Sequence, residues 1–143
     1  MLGNAVRRNP SIKSSERGER VPLEDIRFNS QQSRDAAANF GKPLISYEGG
    51  QHFVAIGNAL DDPALNTLFD TVNRDPRIRE VYSTYLNNWR LDTDQQFTHF
   101  YNCDSWSIFG RWGSLEFATQ PRAEAPKFDA LQSYIEAQPL LLP

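Results

Sequence analysis

Two short strand-like segments separated by helical sequence constrain the fold of this chain more than any other feature. Leu44–Tyr47 is a short run that follows a proline and precedes Gly49-Gly50, and Gln96–Asn102 is rich in aromatic and β-preferring residues. Because helical segments lie between them, the two strands need a crossover connection, which makes them parallel. The sequence therefore predicts an α/β fold with functional side chains at the carboxyl ends of the strands.

Capping residues and apolar periodicity predict four helices. Pro22–Phe40 begins with a proline suited to a first helical turn. Asp62 and Asp75 are each followed by a proline, which is a typical cap and first-turn pair, and Pro126 begins the last helix. Apolar residues recur every three or four positions in the third helix and predict its buried face: Ile78, Val81, Tyr82, Tyr85, Leu86 and Trp89.

Length and composition predict one folded unit with a polar leader. The chain has 143 residues, of which 39% are hydrophobic, and this is enough for the core of one domain. Residues 1–20 have few apolar side chains and no periodicity, so we expect a flexible leader there. Residues 21–143 are then the folded part.

Charge, hydropathy and cysteine content exclude several classes of partner and cofactor. A net charge of −3 gives no general attraction to nucleic acid. No apolar run approaches the ~18 residues of a membrane span, and the first ten residues lack the apolar centre of a signal peptide, so we expect a soluble chain with no membrane partner. One cysteine, Cys103, supports neither a disulfide framework nor a zinc site, and we expect no metal and no cofactor.

Glu48 is the candidate site residue that local sequence indicates most directly. It follows a short apolar strand and precedes Gly49-Gly50, and glycines allow both a sharp turn and close approach of a ligand to the main chain. An ordinary polar residue at a strand end is the simpler alternative. The sequence predicts an exposed carboxylate at the carboxyl end of the first strand.

Five segments together resemble a known family of barrel proteins. They are Tyr47–His52, Asn73–Arg77, Phe97–Phe100, Trp112–Glu116 and Ala125–Phe128. In combination they are similar to the C-terminal part of bacterial (β/α)8-barrel proteins of the glycoside hydrolase type, often described only as cellulose-binding. The resemblance covers roughly residues 22–136.

The resemblance implies that the chain is an incomplete TIM barrel. Residues 21–143 would supply about two of its eight strands, with Leu44–Tyr47 as strand seven, Gln96–Tyr101 as strand eight and Pro22–Phe40 as helix six. A closed barrel takes about 250 residues. An incomplete one leaves a sheet edge unpaired, and we expect self-association through that edge.

The resemblance also implies a catalytic role for Glu48, as the nucleophile of a retaining glycoside hydrolase. Such enzymes need a second carboxylate about 5 to 5.5 Å away. In these barrels the acid/base residue follows strand four, which this chain lacks, so we expect the chain alone to be inactive. The alternatives are a carbohydrate-binding module or pseudoenzyme, and a truncated fragment without independent activity. Full-length relatives would be secreted.

Five further residues are candidates for binding a polysaccharide or oligosaccharide: Tyr47, His52, His99, Trp106 and Trp112. Flat aromatic faces suit sugar rings, whose carbons offer an apolar surface. For His99, which alternates along a strand, an interior histidine with satisfied hydrogen bonds is the default interpretation. Asp104 and Glu116 would hold a sugar hydroxyl or pair with an arginine such as Arg111.

Overall fold

The chain forms an α/β arrangement of four helices and a two-stranded parallel sheet within the part that the structure describes. The structure is a computed structural model, and it describes residues 23–93 and 95–138. The leader predicted over residues 1–20 lies outside them. The elements in chain order are α1 (Leu23–Ala38), β1 (Ser46–Gly49), α2 (Pro63–Arg74), α3 (Ile78–Thr93), β2 (Phe97–His99) and α4 (Pro126–Glu136).

Helix α1 matches the predicted position but attaches to the fold mainly through polar contacts. None of its residues is buried. Instead, Arg27 donates from Nε to the Asp92 carboxylate at 2.8 Å, Gln31 donates to the same carboxylate at 3.0 Å, and Arg34 donates to the Asp92 carbonyl at 2.8 Å. Because Asp92 lies in the last turn of α3, these bonds fix α1 beside that helix.

Local sequence signals account for α2, α3 and α4. The Asp62 side chain accepts hydrogen bonds from the amides of Ala64 and Leu65 and so caps α2. Proline stands at the first positions of both α2 and α4, as predicted. The predicted face of α3 is confirmed except at Val81, which is exposed, and its buried residues are Ile78, Tyr82, Leu86 and Trp89.

The two strands are parallel, as predicted, but their limits differ from the prediction. β1 starts two residues later than expected because the Ser46 amide, which donates to Gln96 O at 3.0 Å, makes the first bond to the neighbouring strand. β2 is shortened to three residues. The paired residues are as follows: Ser46 with Phe97, and Gly49 with His99. Two residues of β1, Tyr47 and Glu48, therefore stand opposite the single Thr98, which makes a bulge.

The helices cover one face of the sheet, with α3 at the centre. α3 packs against both α1 and α4, and Ile78, Tyr82 and Ala130 form the buried cluster between α3 and α4. From β2, the Phe97 ring meets Tyr85 and Trp89 of α3 edge-on. A short run such as Leu44–Tyr47, bounded by proline and glycine, predicts a buried strand. That prediction is wrong, because within the described residues no layer covers the other side of β1. Ile45, just before β1, is 54% exposed, and Tyr47 is 82% exposed.

Candidate functional site

Glu48 lies on the β1 bulge as an exposed carboxylate. It stands inside the strand rather than after it, and together with Tyr47 it borders a shallow groove beside α1. Ser30 and Ser33 of α1 line the same groove. In the described part of the chain Glu48 makes no ion pair or hydrogen bond through its side chain. A carboxylate in this state can accept hydrogen bonds from ligand hydroxyls.

The two glycines after Glu48 are required by packing against β2. A Cβ atom on Gly49 would lie 2.3 Å from the Phe97 ring, which leaves no room for a side chain. Gly50 has a φ of +131°, and a Cβ there would lie 3.0 Å from Nε2 of His99. The sequence suggested that these glycines open the main chain to a ligand, whereas the structure gives them a role in strand packing.

His99 faces the helices, in agreement with its interpretation as an interior histidine. Its Nδ1 lies 2.9 Å from the Tyr101 carbonyl oxygen, and its Nε2 lies 3.4 Å from the Tyr82 hydroxyl. Burial lowers the pKa of His99 to about 4, so the ring is neutral near pH 7. A neutral ring held from both nitrogens positions the end of β2 rather than a ligand.

His52 and Trp112 come together although 60 positions separate them in sequence. Their ring centres are 4.7 Å apart in an edge-on arrangement, and the Phe100 ring is 6.3 Å from that of Trp112. His52 is exposed and Trp112 is half-buried. The loops that follow β1 and β2 therefore meet in one aromatic contact at the carboxyl end of the sheet.

Trp106 is held between cationic side chains. The guanidinium carbon of Arg74 lies 5.1 Å from the centre of its ring, and Nζ of Lys127 lies 4.9 Å from it. Both distances are within the range of cation–π attraction. The indole Nε1 is buried and has no hydrogen-bond partner among the described residues. A ring already in contact with two cations offers less free surface to a sugar than the exposed ring of Tyr47.

Four polar residues near these aromatic side chains are joined by hydrogen bonds, and we name them the carboxyl-end cluster: Gln51, Asn73, Arg111 and Lys127. The Arg111 carbonyl accepts hydrogen bonds from Gln51 Nε2 and from Lys127 Nζ, the latter at 3.0 Å. Gln51 also donates to Asn73 Oδ1 at 3.0 Å. The cluster thus joins the loops after β1 and β2 to helices α2 and α4.

Lys127 is the most unusual member of the cluster electrostatically. It is 1% exposed, and burial lowers its pKa to about 7, while the charge of Glu116 acts in the opposite direction. Lysine is almost never fully buried unless it is paired. Here the carbonyl of Arg111 and the ring of Trp106 replace part of the hydration that the ammonium group loses.

Arg111 carries the second buried cation of the cluster. It forms an ion pair with Asp70 of α2 and donates from Nη2 to Asn66 Oδ1 at 3.0 Å. Arg111 is therefore not the arginine that pairs with Asp104 or Glu116. Glu116 does pair with an arginine, as expected, but this is Arg74, which donates from Nε to Glu116 at 2.8 Å.

Sequence reasoning missed the carboxyl-end cluster as a unit. Gln51, Asn73 and Lys127 all lie in segments that carry the family resemblance, and that was the available signal. Their joint role could not be predicted, because nothing in the sequence indicates that the Arg111 carbonyl accepts hydrogen bonds from two distant side chains. The structure brings His52, Trp106 and Trp112 close to this cluster, while Tyr47 and Glu48 lie apart on the β1 bulge.

The described residues contain neither a metal-type cluster nor a spanning helix. No group of three or more His, Cys, Asp or Glu side chains is arranged to hold a metal ion within residues 23–93 and 95–138. In the same part of the chain, no helix is long and apolar enough to cross a membrane. Comparisons with protein-family models, with curated proteins and with solved structures gave no match to this chain.

Proposed function

We propose that this chain is the C-terminal part of a glycoside-hydrolase-like (β/α)8 barrel and that it binds polysaccharide through the β1 bulge. The observation that carries the proposal is the pair Tyr47 and Glu48, an exposed aromatic ring beside an exposed carboxylate on one strand. In this assignment β1 is strand seven, β2 is strand eight and α1 is helix six.

The distribution of helices supports the assignment to a barrel. In the part of the chain that the structure describes, helix α3 packs against one face of the sheet, while the side chains of Ile45 and Tyr47 are exposed. In a barrel, helices pack on the outside and this second face is filled by residues from the remaining strands. An apolar side chain such as Ile45 on a bare face is consistent with a sheet that lacks those strands.

Chemistry at the bulge favours binding over hydrolysis. A tyrosine ring offers a flat surface to a sugar ring, and a carboxylate accepts hydrogen bonds from sugar hydroxyls. Retaining hydrolysis needs a second carboxylate at about 5 to 5.5 Å from the nucleophile. No other carboxylate lines the groove that Tyr47 and Glu48 border in the described residues. Glu48 is then a ligand-binding residue here and a nucleophile only in a complete barrel.

Retention on insoluble β-glucan, measured together with release of reducing sugar, tests this proposal. We expect the chain to be retained without release of sugar, and Tyr47→Ala to lower retention at least several-fold. Phe40→Ala is the matched control, because Phe40 is 80% exposed in the turn after α1 and does not line the groove beside the bulge. Equal retention of the two variants would contradict the proposal.

A second pair of variants separates binding from catalysis. Glu48→Gln keeps the size of the side chain and removes its charge, and Glu124→Gln does the same at an exposed position near α4. If the chain binds without cleaving, Glu48→Gln weakens retention and neither variant changes the background of released sugar. Release of sugar that disappears in Glu48→Gln alone would show that the chain is a hydrolase by itself.

A further inference from the structure

An elongated apolar groove lies between α3, β2 and α4. Its volume of about 670 Å³ is in the range of pockets that hold small molecules. Phe128 and Ile135 of α4 both line it, and their seven-residue separation corresponds to about 10 Å along the helix axis. The rest of its apolar wall comes from Leu86, Phe97 and Leu131. The groove therefore has the length and the lining for an extended apolar ligand.

A single cationic side chain, Arg90, lines this groove in the described part of the chain. It belongs to the last turn of α3, and it lies at the end of the groove where α4 ends and β2 begins. No carboxylate is among the described residues that line the groove. Within residues 23–93 and 95–138, the Arg90 side chain makes neither an ion pair nor a hydrogen bond. Its positive charge is therefore uncompensated there.

Two acids at the same ends of α3 and α4 are held by other arginines. Asp92 of α3 accepts hydrogen bonds from Arg27 and Gln31. Glu136, the last residue of α4, forms an ion pair with Arg122. Because both carboxylates already have partners, the guanidinium of Arg90 is available to an anionic ligand.

Neutral polar side chains surround Arg90 at this end of the groove. They are the side chains of Gln95 and Gln96, which precede β2, and of Gln138, which follows α4. A guanidinium binds a carboxylate through two parallel hydrogen bonds, and a glutamine amide can donate to the same oxygens. The groove thus combines a site for an anionic head group with an apolar channel.

We propose that the groove binds an amphipathic carboxylate of the fatty-acid class. The carboxylate binds Arg90, and the alkyl chain lies along Phe97 and Phe128. Charge complementarity determines the orientation, because the groove has a cation at one end and no acid among its described lining residues. Tyr47 and Glu48 border a different groove, so this inference goes beyond the proposed function and does not rest on it.

Isothermal titration calorimetry with dodecanoate tests the role of the charge. We expect one dodecanoate to bind per chain, and Arg90→Met to weaken its affinity at least about ten-fold, because a hydrogen-bonded charge pair is lost. Arg77→Met is the matched control, since the Arg77 side chain is 88% exposed and does not line the groove. This control keeps the affinity of the unmodified protein.

A second comparison tests the apolar wall. Ile135 lines the groove and is 60% exposed, so Ile135→Ser removes apolar contact and weakens dodecanoate binding several-fold. Leu91→Ser is the matched control, because Leu91 is 69% exposed on α3 outside the groove. Butanoate has the same head group and a short tail, and we expect it to bind far more weakly than dodecanoate.

Several outcomes would overturn the proposal. They are the absence of dodecanoate binding, equal affinities of Arg90→Met and the unmodified protein, and equal affinities for butanoate and dodecanoate. Affinity that falls as the protein concentration rises would show that a second copy covers the groove instead. If a variant unfolds, nuclear Overhauser effects from dodecanoate methylene groups to the Phe128 ring in the unmodified protein support the proposal, and their absence refutes it.

The same titration separates this site from the carbohydrate site. Tyr47→Ala, which lowers retention on β-glucan if the proposed function is correct, leaves dodecanoate binding unchanged. Loss of dodecanoate binding in Tyr47→Ala would place the alkyl chain on the β1 bulge and contradict the assignment to the groove.

Discussion

At the scale of the residue, Lys127 shows how the fold uses a buried lysine as a hydrogen-bond donor. The Arg111 carbonyl accepts from both Lys127 and Gln51, so one peptide group connects α4 with the loop after β1. A neutral amine still donates to this carbonyl, although more weakly than an ammonium group, and it avoids the cost of burying a charge. The uncharged form of Lys127 therefore suits the folded state better.

This leads to a prediction about pH and stability. Lys127 has a usual pKa of 10.5 when unfolded and a pKa of about 7 when folded, so between these values the unfolded chain holds more protons. The free energy of unfolding therefore rises from about pH 7 to about pH 10, by a few kcal/mol at most. We expect Lys127→Met to flatten this rise, as measured by urea unfolding at several pH values.

The control for this measurement is a lysine at the surface. Lys42 is exposed in the turn after α1, and Lys42→Met keeps the rise in stability with pH if Lys127 causes it. A Lys127→Met protein whose stability depends on pH as strongly as that of the unmodified chain would show that other groups carry the effect.

Residue roles could be predicted from the sequence only where the neighbours along the chain determine them. The Asp62 cap depends on amides two and three positions away, and it was predicted correctly. Gly49 was assigned a role in ligand approach, because nothing near it in sequence shows that the Phe97 ring lies against it. The pairing of Arg111 with Asp70 could not be predicted for the same reason, since the two residues are 41 positions apart.

At the scale of the element, α1 differs from the other helices because polar contacts hold it in place. Three of its side chains converge on Asp92, whose own side chain is only 7% exposed. The neighbouring Arg27 guanidinium lowers the pKa of the Asp92 carboxyl, so this acceptor stays charged near neutral pH. Two of these three attachments thus depend on the Asp92 carboxylate, and the third, from Arg34, uses the Asp92 carbonyl.

Removing that charge is expected to release α1 and leave the rest of the fold intact. An asparagine at position 92 lacks the charge and one of the two acceptor oxygens, so Asp92→Asn weakens the bonds from both Arg27 and Gln31. Hydrogen exchange measured by mass spectrometry should show faster exchange over Leu23–Ala38 and no change over α4. Asp35→Asn is the control, because Asp35 pairs only with its neighbour Arg34 in the described residues.

Element types were more predictable than element limits. Helices were located from caps and from a period of three to four residues, which are local properties, and α4 begins at the predicted Pro126. Strand limits depend on a partner strand far away in sequence. β1 begins and ends two residues later than predicted. Its hydrogen bonds to the neighbouring chain run from the Ser46 amide to Gln96 O and from the Phe100 amide to Gly49 O.

At the scale of the whole molecule, the unpaired edge of β1 is the feature with the largest consequence. Within the described residues the sheet has two strands, and Ile45 and Tyr47 are exposed beside the edge that no strand covers. Such an edge favours pairing with another chain.

We therefore expect concentration-dependent self-association that depends on Ile45. Ile45→Lys places a charge beside the edge, and charged side chains are a common means of preventing strand pairing. Sedimentation velocity at increasing concentration should show less association for this variant than for the unmodified protein. Leu68→Lys is the matched control, since Leu68 is 53% exposed on α2 and Ile45 is 54% exposed.

Two results would contradict this expectation. A protein that stays monomeric at all concentrations would show that the β1 edge is protected. Equal suppression of association by Ile45→Lys and Leu68→Lys would show that net charge, rather than the strand edge, controls association.

The position of Lys127 has a consequence for how far the chain can be shortened. The loop between β2 and α4 has little regular structure of its own, and its Arg111 carbonyl depends on a donor that arrives only with the last helix. During synthesis, the surroundings of Trp106 and Trp112 therefore cannot reach their final arrangement until α4 has emerged. A polypeptide ending before Pro126 would have both strands and every aromatic candidate for sugar binding, yet lack the side chain that fixes the loop around them.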